Sequence, residues 1–281
     1  MREIWVSNAK GRQMRVRDHG DSSDPRPPIL ALPGYARNGK DFTHLANRIA
    51  PRRLVTLDYR GRGESDREHD WRAYAPESLI DDIRHVATAT GLHRVVVVGT
   101  SLGGLLAMGM GVAMPSLIAA VVLNDVGPDV QSAGADYVTD YIGRDHPQPD
   151  WPHAVSALQR MLPTLSLRTD ADWLNFAQNT FREGPDGRLH VDWDPSIARP
   201  LVAHGKRQKD LWPLFRSLRH LPVLTIRGGA SDILSERVLQ QMQDVHPSMQ
   251  VVTLDGVGHA PTLEEPASRD ALDRFLAAVG D

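Results

Sequence analysis

The sequence predicts an α/β fold in which helices cover both faces of a mostly parallel sheet. Short apolar segments rich in β-branched residues alternate with longer segments of helical spacing, a pattern typical of strands buried under helices. Eight strands are predicted, at residues 3–7, 13–17, 28–32, 53–58, 94–98, 119–124, 223–227 and 250–254. The predicted helices are 41–50, 76–90, 102–114, 235–245 and 264–279, and Pro76 suits a first helical turn.

The alternation stops between residues 128 and 220, where Pro, Trp and Asp interrupt several short helical segments and no strand is predicted. We interpret this interval as a helical cap inserted into a core domain formed by residues 1–127 and 221–281. Four of the six tryptophans lie in it, namely Trp151, Trp173, Trp193 and Trp212. Their large apolar surfaces would either line a substrate pocket or join the cap helices to each other and to the core, the more common role for a single tryptophan.

Composition bounds the possible partners. With 281 residues and 41% hydrophobic content, the chain can bury a substantial core. A net charge of −3 does not indicate the positively charged surface that binding to nucleic acid or anionic lipid requires. The absence of cysteine excludes disulfides and a thiolate nucleophile. The longest apolar stretch, 105–114, is far below the roughly 20 residues of a membrane span. We therefore expect a soluble, cytoplasmic protein that acts on a small molecule and binds neither nucleic acid nor membrane.

A candidate nucleophile follows the fifth predicted strand. Residues 99–103 read Gly-Thr-Ser-Leu-Gly and lead directly into a predicted helix. A strand, a G-x-S-x-G turn and a helix in this order hold the serine in a strained conformation with its hydroxyl exposed to substrate. Ser101 is therefore the predicted nucleophile, although the same pattern also suits a plain glycine-rich turn.

Serine needs a base, and the base needs a carboxylate to orient it. His259 follows the last strand in a glycine-rich loop just before the final helix, and it is the predicted base. Asp232 follows the strand 223–227 in a turn at the same sheet edge, so it is the favoured carboxylate. Asp125 also ends a strand and stays the rival acid. Either aspartate would otherwise cap the next helix.

The attacked carbonyl becomes an oxyanion that requires hydrogen-bond donors already in place. The backbone N–H of Leu102, next to the nucleophile, is one predicted donor. The second is the backbone N–H of Tyr35, which follows Pro33 and Gly34 at the end of another strand. A plain proline-glycine turn is the alternative interpretation of that segment.

Together these features resemble the α/β-hydrolase fold superfamily over essentially the whole chain. The similarity rests on the turn 99–103, the loop 58–66, the turn 228–232 and the pair Gly258–His259. It implies an eight-stranded sheet, a helical cap after the sixth strand, and a serine triad that needs no cofactor and no metal. One departure is Pro33, where many relatives have histidine before the glycine of the oxyanion loop. The loop 58–66 lacks the lysine of a phosphate-binding loop and is interpreted as support beside the site.

The predicted activity is hydrolysis of a carboxylic ester or lactone through an acyl-enzyme on Ser101. Serine at that position disfavours epoxide opening and halide displacement, for which relatives use aspartate. A carbon–carbon bond hydrolase of aromatic degradation is an alternative, and Arg144, Arg168 or Arg182 of the cap would then bind a dienoate acid. Cofactor-free peroxidase or dioxygenase chemistry is a further alternative, as is a non-catalytic receptor that only binds a small ligand.

Overall fold

The computed structural model describes residues 1–129, 139–203 and 210–279. Its centre is an eight-stranded sheet with the spatial order β1-β2-β4-β3-β5-β6-β9-β10. β2 is antiparallel to β1 and β4, and the other pairs are parallel. The predicted α/β fold and its eight strands are confirmed. The strands are β1 (Arg2–Ser7), β2 (Gln13–His19), β3 (Ile29–Leu32), β4 (Leu54–Leu57), β5 (Val95–Thr100), β6 (Ile118–Asn124), β9 (Val223–Gly228) and β10 (Gln250–Leu254).

Helices cover both faces of this sheet. The five that belong to the alternating part of the chain are α1 (Thr43–Arg48), α2 (Pro76–Ala89), α3 (Leu102–Ala113), α8 (Glu236–Val245) and α9 (Pro266–Ala278). A 3-10 turn, Gly39–Phe42, precedes α1 where the sequence predicts continuous helix. No helix in the described ranges combines the length and the apolar character that crossing a membrane requires.

The valine run of β5 shows why the sheet forms. All four residues of 95–98 are fully buried. Because strand side chains point alternately to opposite faces, Val95 and Val97 pack in the core cluster that contains residues of α2, α3 and α8, whereas Val96 and Val98 pack with residues of α1 and α9. A continuous apolar run is the pattern of a strand that is covered on both faces.

Between β6 and β9 the described residues form α4 (Trp151–Met161), α5 (Asp170–Thr180), α6 (Arg199–Ala203) and α7 (Trp212–Arg216). They also form an antiparallel hairpin, β7 (Phe181–Glu183) with β8 (Leu189–Val191). The expectation that this interval contains no strand is therefore wrong. Each strand has only three residues, too few to show an alternating pattern, although Pro-Asp-Gly at 185–187 is a turn signal. Residues 130–138 and 204–209 of the predicted cap, and 280–281 of the predicted core domain, lie outside the described residues, and the domain boundaries stay a prediction.

The four tryptophans of this interval have packing roles. Trp193 is buried and donates its indole N–H to the Ile142 carbonyl at 3.0 Å. Trp173 meets the ring of Phe176 edge to face, with 6.3 Å between centroids. Trp151 is half-buried against the apolar cluster that contains Trp193. Trp212 packs against the core cluster that contains residues of α2, α3 and α8. The interpretation of these residues as packing residues is the one that the contacts support.

Candidate active site

Ser101 occupies a sharp turn between β5 and α3. Its backbone has φ 52° and ψ −114°, in the region of positive φ that side-chain-bearing residues rarely adopt. A Cβ on Gly103 would lie 2.0 Å from the Leu32 carbonyl oxygen, and a Cβ on Gly99 would lie 2.5 Å from the backbone of Gly103. Only glycine fits at both positions, so the glycines of the G-x-S-x-G pattern exist to let β3, β5 and α3 approach closely around the serine.

His259 lies next to Ser101, with 2.9 Å between its Nε2 and the serine Oγ. Three hydrogen bonds to the backbone of its loop hold that loop in place. Gly258 donates its N–H to the Thr164 carbonyl at 2.8 Å, Ala230 donates to Val257 at 2.9 Å, and Asn124 Nδ2 donates to Pro261 at 2.8 Å. The loop is thus fixed from the inserted segment, from the end of β9 and from the end of β6. The structure therefore brings Ser101 and His259 within hydrogen-bond distance, and their roles as nucleophile and base stay predictions.

The carboxylate that meets His259 is that of Asp125. Its Oδ2 lies 2.8 Å from His259 Nδ1, and its Oδ1 accepts the backbone N–H of Gly228 at 2.9 Å. The side chain is fully buried. Because each carboxylate oxygen has one donor, the ring nitrogen that faces Asp125 carries a proton and the nitrogen that faces Ser101 is left as an acceptor.

The expectation that Asp232 orients His259 is wrong on this geometry. Asp232 is exposed, while both ring nitrogens of His259 face other groups, namely Asp125 and Ser101. Strand order does not decide between the two aspartates, because β9 adjoins β10, which leads to His259. The decisive difference is that the Asp125 carboxylate is buried between His259 Nδ1 and the Gly228 N–H, whereas Asp232 is exposed. β9 contributes the Gly228 N–H to this site instead of a carboxylate.

The two predicted oxyanion donors flank the serine. Leu102 provides the first N–H of α3, a group that has no partner within a helix. A Cβ built on Gly34 would lie 3.9 Å from the Ser101 Cβ, so the loop that contains Tyr35 runs beside the nucleophile. Leu102, Gly34 and Tyr35 all line the cavity above Ser101. The donor roles of Leu102 and Tyr35 remain predictions.

The loop 58–66 supports the Tyr35 segment, and sequence reasoning missed the residue that does so. Arg62 is almost fully buried and donates Nε–H to the Tyr35 carbonyl at 2.7 Å. Its guanidinium also lies over the Tyr35 ring, 5.1 Å from the centroid. Burial lowers the pKa of Arg62 and raises that of Tyr35. Asp58, which begins the loop, is buried and accepts from Arg17 at 2.7 Å and from the Gly39 N–H at 2.8 Å. The sequence signal that could have located this support is Arg62 itself, the second arginine of the glycine-rich stretch 60–63.

A cavity of about 860 Å³ opens above Ser101 and His259. The inserted segment contributes several lining residues, among them Ile142, Phe176 and Leu201. None of the four tryptophans lines this cavity, although Trp173 packs behind Phe176. Of the three cap arginines considered from the sequence, only Arg168 lines it. Arg144 pairs with Asp140 at 2.7 Å, and Arg182 lies 3.8 Å from Asp192.

Within residues 1–129, 139–203 and 210–279, no group of three or more His, Asp or Glu side chains is arranged to hold a metal ion.

Comparison with known proteins agrees with this architecture. Residues 29–269 match the model of the alpha/beta hydrolase family, and the chain belongs to that family. A 3-hydroxybutyrate-oligomer hydrolase from Cupriavidus necator is 29% identical over 98% of this chain and 96% of its own length. A 2-(acetamidomethylene)succinate hydrolase from Mesorhizobium japonicum is 26% identical over 88% of this chain and 84% of its own length. The crystal structure of an alpha/beta hydrolase from Novosphingobium aromaticivorans superposes with a TM-score of 0.91 at 39% identity, covering 98% of both chains. The family and these relatives indicate a hydrolase.

Proposed function

We propose that the protein hydrolyses a carboxylic ester or lactone of a small organic substrate by way of an acyl-enzyme. The observation that carries the proposal is the continuous hydrogen-bond chain from Ser101 Oγ through His259 to Asp125. Asp125 fixes the tautomer in which His259 Nε2 is free to accept the serine proton. Ser101 then attacks the ester carbonyl, and the oxygen of that carbonyl becomes negatively charged.

The proposed oxyanion donors are the backbone N–H groups of Leu102 and Tyr35, which would stabilise that charge. Collapse of the tetrahedral intermediate breaks the bond to the alcohol, and the proton held by His259 passes to the leaving oxygen. Water then attacks the acyl-enzyme, with His259 accepting its proton; the bond to Ser101 Oγ breaks, this proton passes from His259 to that oxygen, and the acid is released. The Asp125 carboxylate would stabilise the imidazolium in both steps.

The comparisons support an ester as substrate. A 3-hydroxybutyrate oligomer, named for the Cupriavidus relative, is a hydroxy acid joined to itself through ester bonds. Carbon–carbon bond hydrolysis of the aromatic-degradation type is a second candidate, because it would use the same serine and histidine. The observation that favours this second candidate is the position of Arg168 on the cavity wall, where its guanidinium could bind a dienoate carboxylate.

A substrate panel tests the proposal. Purified protein is assayed with p-nitrophenyl esters of increasing acyl length, with lactones and with a dienoate, beside the Ser101→Ala variant. We expect turnover of esters or lactones that disappears in Ser101→Ala, together with fluorophosphonate labelling at Ser101. Turnover of the dienoate alone would support the second candidate. Ester hydrolysis that survives in Ser101→Ala would refute the mechanism.

A further inference from the structure

The cavity above Ser101 has two chemically different sides. The side formed by α2, α3 and the segments that pack over them is apolar. Tyr74 brings a hydroxyl to it, but that hydroxyl already donates to Asp194 at 2.7 Å. The apolar lining residues of this side include Leu79, Leu105, Val126, Ile142 and Leu201.

The opposite side carries the charge. Among the described residues, all seven aspartate, glutamate and arginine side chains that line the cavity belong to 37–41, 168–172 and 264–269. These segments adjoin α1, α5 and α9. α5 is held over α1 by hydrogen bonds from Asn38 to the Asn179 carbonyl at 2.9 Å and between Asn175 and His44 at 3.4 Å. We call this the polar side, and Ser101 lies between it and the apolar side.

Three of the four carboxylates of the polar side accept hydrogen bonds from protein donors, and the fourth, Glu264, lies 4.0 Å from both Arg48 and Arg269. Asp41 receives two hydrogen bonds from Arg37, at 2.7 and 2.5 Å. Asp172 caps α5 by accepting the Thr169 N–H at 3.0 Å. Glu265 accepts the Thr262 N–H at 2.7 Å and a hydrogen bond from Ser166. Burial raises the pKa of Glu265, but these hydrogen bonds outweigh burial and keep its pKa below the ordinary value.

Arg168 is different. Its backbone N–H contacts Asp172, but its guanidinium has no hydrogen-bond or ion-pair partner within the part of the chain that the structure describes. The side chain is exposed at the cavity wall, on the loop between α4 and α5. Guanidinium groups donate in a planar fork that matches carboxylate and amide oxygens. Arg168 is therefore the donor on the polar side that a ligand can use without displacing a protein partner.

We propose that the substrate is an amphiphilic ester, with a hydrocarbon group on one side of the scissile bond and an oxygen-bearing polar group on the other. The hydrocarbon group occupies the apolar side, and Arg168 binds the acceptor oxygens of the polar group. The proposal rests on the proposed ester hydrolysis and names the substrate class of that site. A carboxylate and a carboxamide share the required acceptor chemistry, and the experiment below distinguishes them.

Two series of isosteric esters test this. In the first, the acyl side is polar: hexyl hydrogen succinate, hexyl succinamate and, as apolar isostere, hexyl 4-methylpentanoate. In the second, the alcohol side is polar: the hexanoate ester of 3-hydroxypropanoate, that of its amide, and 3-methylbutyl hexanoate. We expect kcat/KM to favour the polar members of one series roughly tenfold over the isostere, because a hydrogen bond to a charged group is involved. Equal or better use of the apolar isostere in both series would overturn the proposal.

Variants of Arg168 test whether this residue causes the preference for the polar esters. Arg168→Gln should remove most of the preference for the carboxylate, mainly through KM, and Arg168→Lys should keep part of it. Arg160→Gln is the matched control, because Arg160 is exposed on α4 and does not line the cavity. A loss of preference in Arg160→Gln equal to that in Arg168→Gln, or no loss in Arg168→Gln, would contradict the role of Arg168. A preference for the carboxamide over the carboxylate would identify a neutral polar group as the ligand.

Binding separates this proposal from the proposed function. Hexyl hydrogen succinate and hexyl 4-methylpentanoate are titrated by calorimetry into Ser101→Ala protein and into Ser101→Ala/Arg168→Gln protein. Tighter binding of the succinate ester that depends on Arg168 supports the amphiphilic cavity even if no ester is turned over. Ester turnover that requires Ser101, without any such preference in binding or rate, would leave the proposed function standing and refute the substrate class.

Discussion

Replacing the buried aspartate by its isosteric amide tests the site most directly. In Asp125→Asn, two donors face the side chain, the Gly228 N–H at 2.9 Å and His259 Nδ1 at 2.8 Å. An amide has one oxygen and one NH2 group, so it satisfies only one of them. If the oxygen faces His259, the NH2 group opposes the Gly228 N–H, and leaving these buried donors unpaired costs about 1–3 kcal/mol.

The amide therefore turns its oxygen toward Gly228 and its NH2 group toward His259. The ring then carries its proton on Nε2, where Ser101 needs an acceptor. A preference of about 1–3 kcal/mol leaves roughly one molecule in six to one in a hundred and sixty with the useful tautomer. The imidazolium also loses its neighbouring charge. The two effects together should lower kcat about 10⁴-fold, as the same change does in other serine triads.

The assay is kcat and kcat/KM on the best p-nitrophenyl ester of the panel, with thermal unfolding followed by circular dichroism to show that the variant folds. Asp232→Asn is the matched control, because it makes the same chemical change at an exposed position, and we expect its rate to stay within about twofold of the parent. A larger rate loss in folded Asp232→Asn than in folded Asp125→Asn would return the orienting role to Asp232 and refute the reasoning.

Four further outcomes are expected. Ser101→Ala should fold normally but lose turnover by several orders of magnitude and lose fluorophosphonate labelling; a labelled alanine variant would exclude Ser101 as nucleophile. Arg62→Gln should lower kcat more than it changes KM, because it removes the hydrogen bond from Arg62 to the Tyr35 carbonyl, which holds the proposed oxyanion loop; unchanged kinetics in the folded variant would show that this loop keeps its position without Arg62. Ile142→Ala, on the apolar cavity wall, should lower kcat/KM for long acyl chains by roughly 10- to 100-fold and spare acetyl esters; a uniform loss would speak against a chain-binding wall. Glu265→Gln should be less stable than the parent at neutral pH, and the difference should close as the pH falls below about 4, because a depressed folded pKa gives stability that is lost through protonation; thermal unfolding against pH measures this, the exposed Glu183→Gln is the control, and a pH-independent difference would contradict it.

The parts of the site that sequence patterns located are those that a local rule determines. The position of β5 could be predicted from its valine run, because a strand covered on both faces needs apolar residues at every position, as residues 95–98 show. Ser101 is readable because the close approach of β3, β5 and α3 demands glycine at 99 and 103. His259 is readable because it follows the last strand in a glycine-rich loop.

The choice between the two aspartates is not a local matter. Asp125 and Asp232 both follow strands that end at the same sheet edge, and β6 and β9 are neighbours. What separates them is which carboxylate is buried against the loop of His259 and which backbone N–H is turned toward that carboxylate, as Gly228 is toward Asp125. The cavity wall is equally non-local. Whether Trp173 or Phe176 lines the cavity depends on how α5 packs over α1. The two aromatic residues lie three positions apart on one helix, so the sequence alone does not indicate which of them faces the cavity.

The proposed reacting groups and the proposed substrate-binding groups are attached to different parts of the fold, yet contacts of the backbone connect them. Ser101 and Asp125 follow β5 and β6, so the rigid sheet fixes the distance between them. His259 stands on a loop whose Gly258 N–H is bonded to Thr164 of the inserted segment, and a Cβ on Gly258 would lie 2.0 Å from the Thr164 Oγ1. Four residues further along, Arg168 reaches the polar side of the cavity. A ligand bound by Arg168 therefore acts on the same short segment, 164–168, that holds the loop of His259, the proposed base. Substitutions of Thr164, which contacts Gly258 directly, should change kcat as well as KM, whereas substitutions on the apolar wall at Leu201 should change KM with little effect on kcat for small esters.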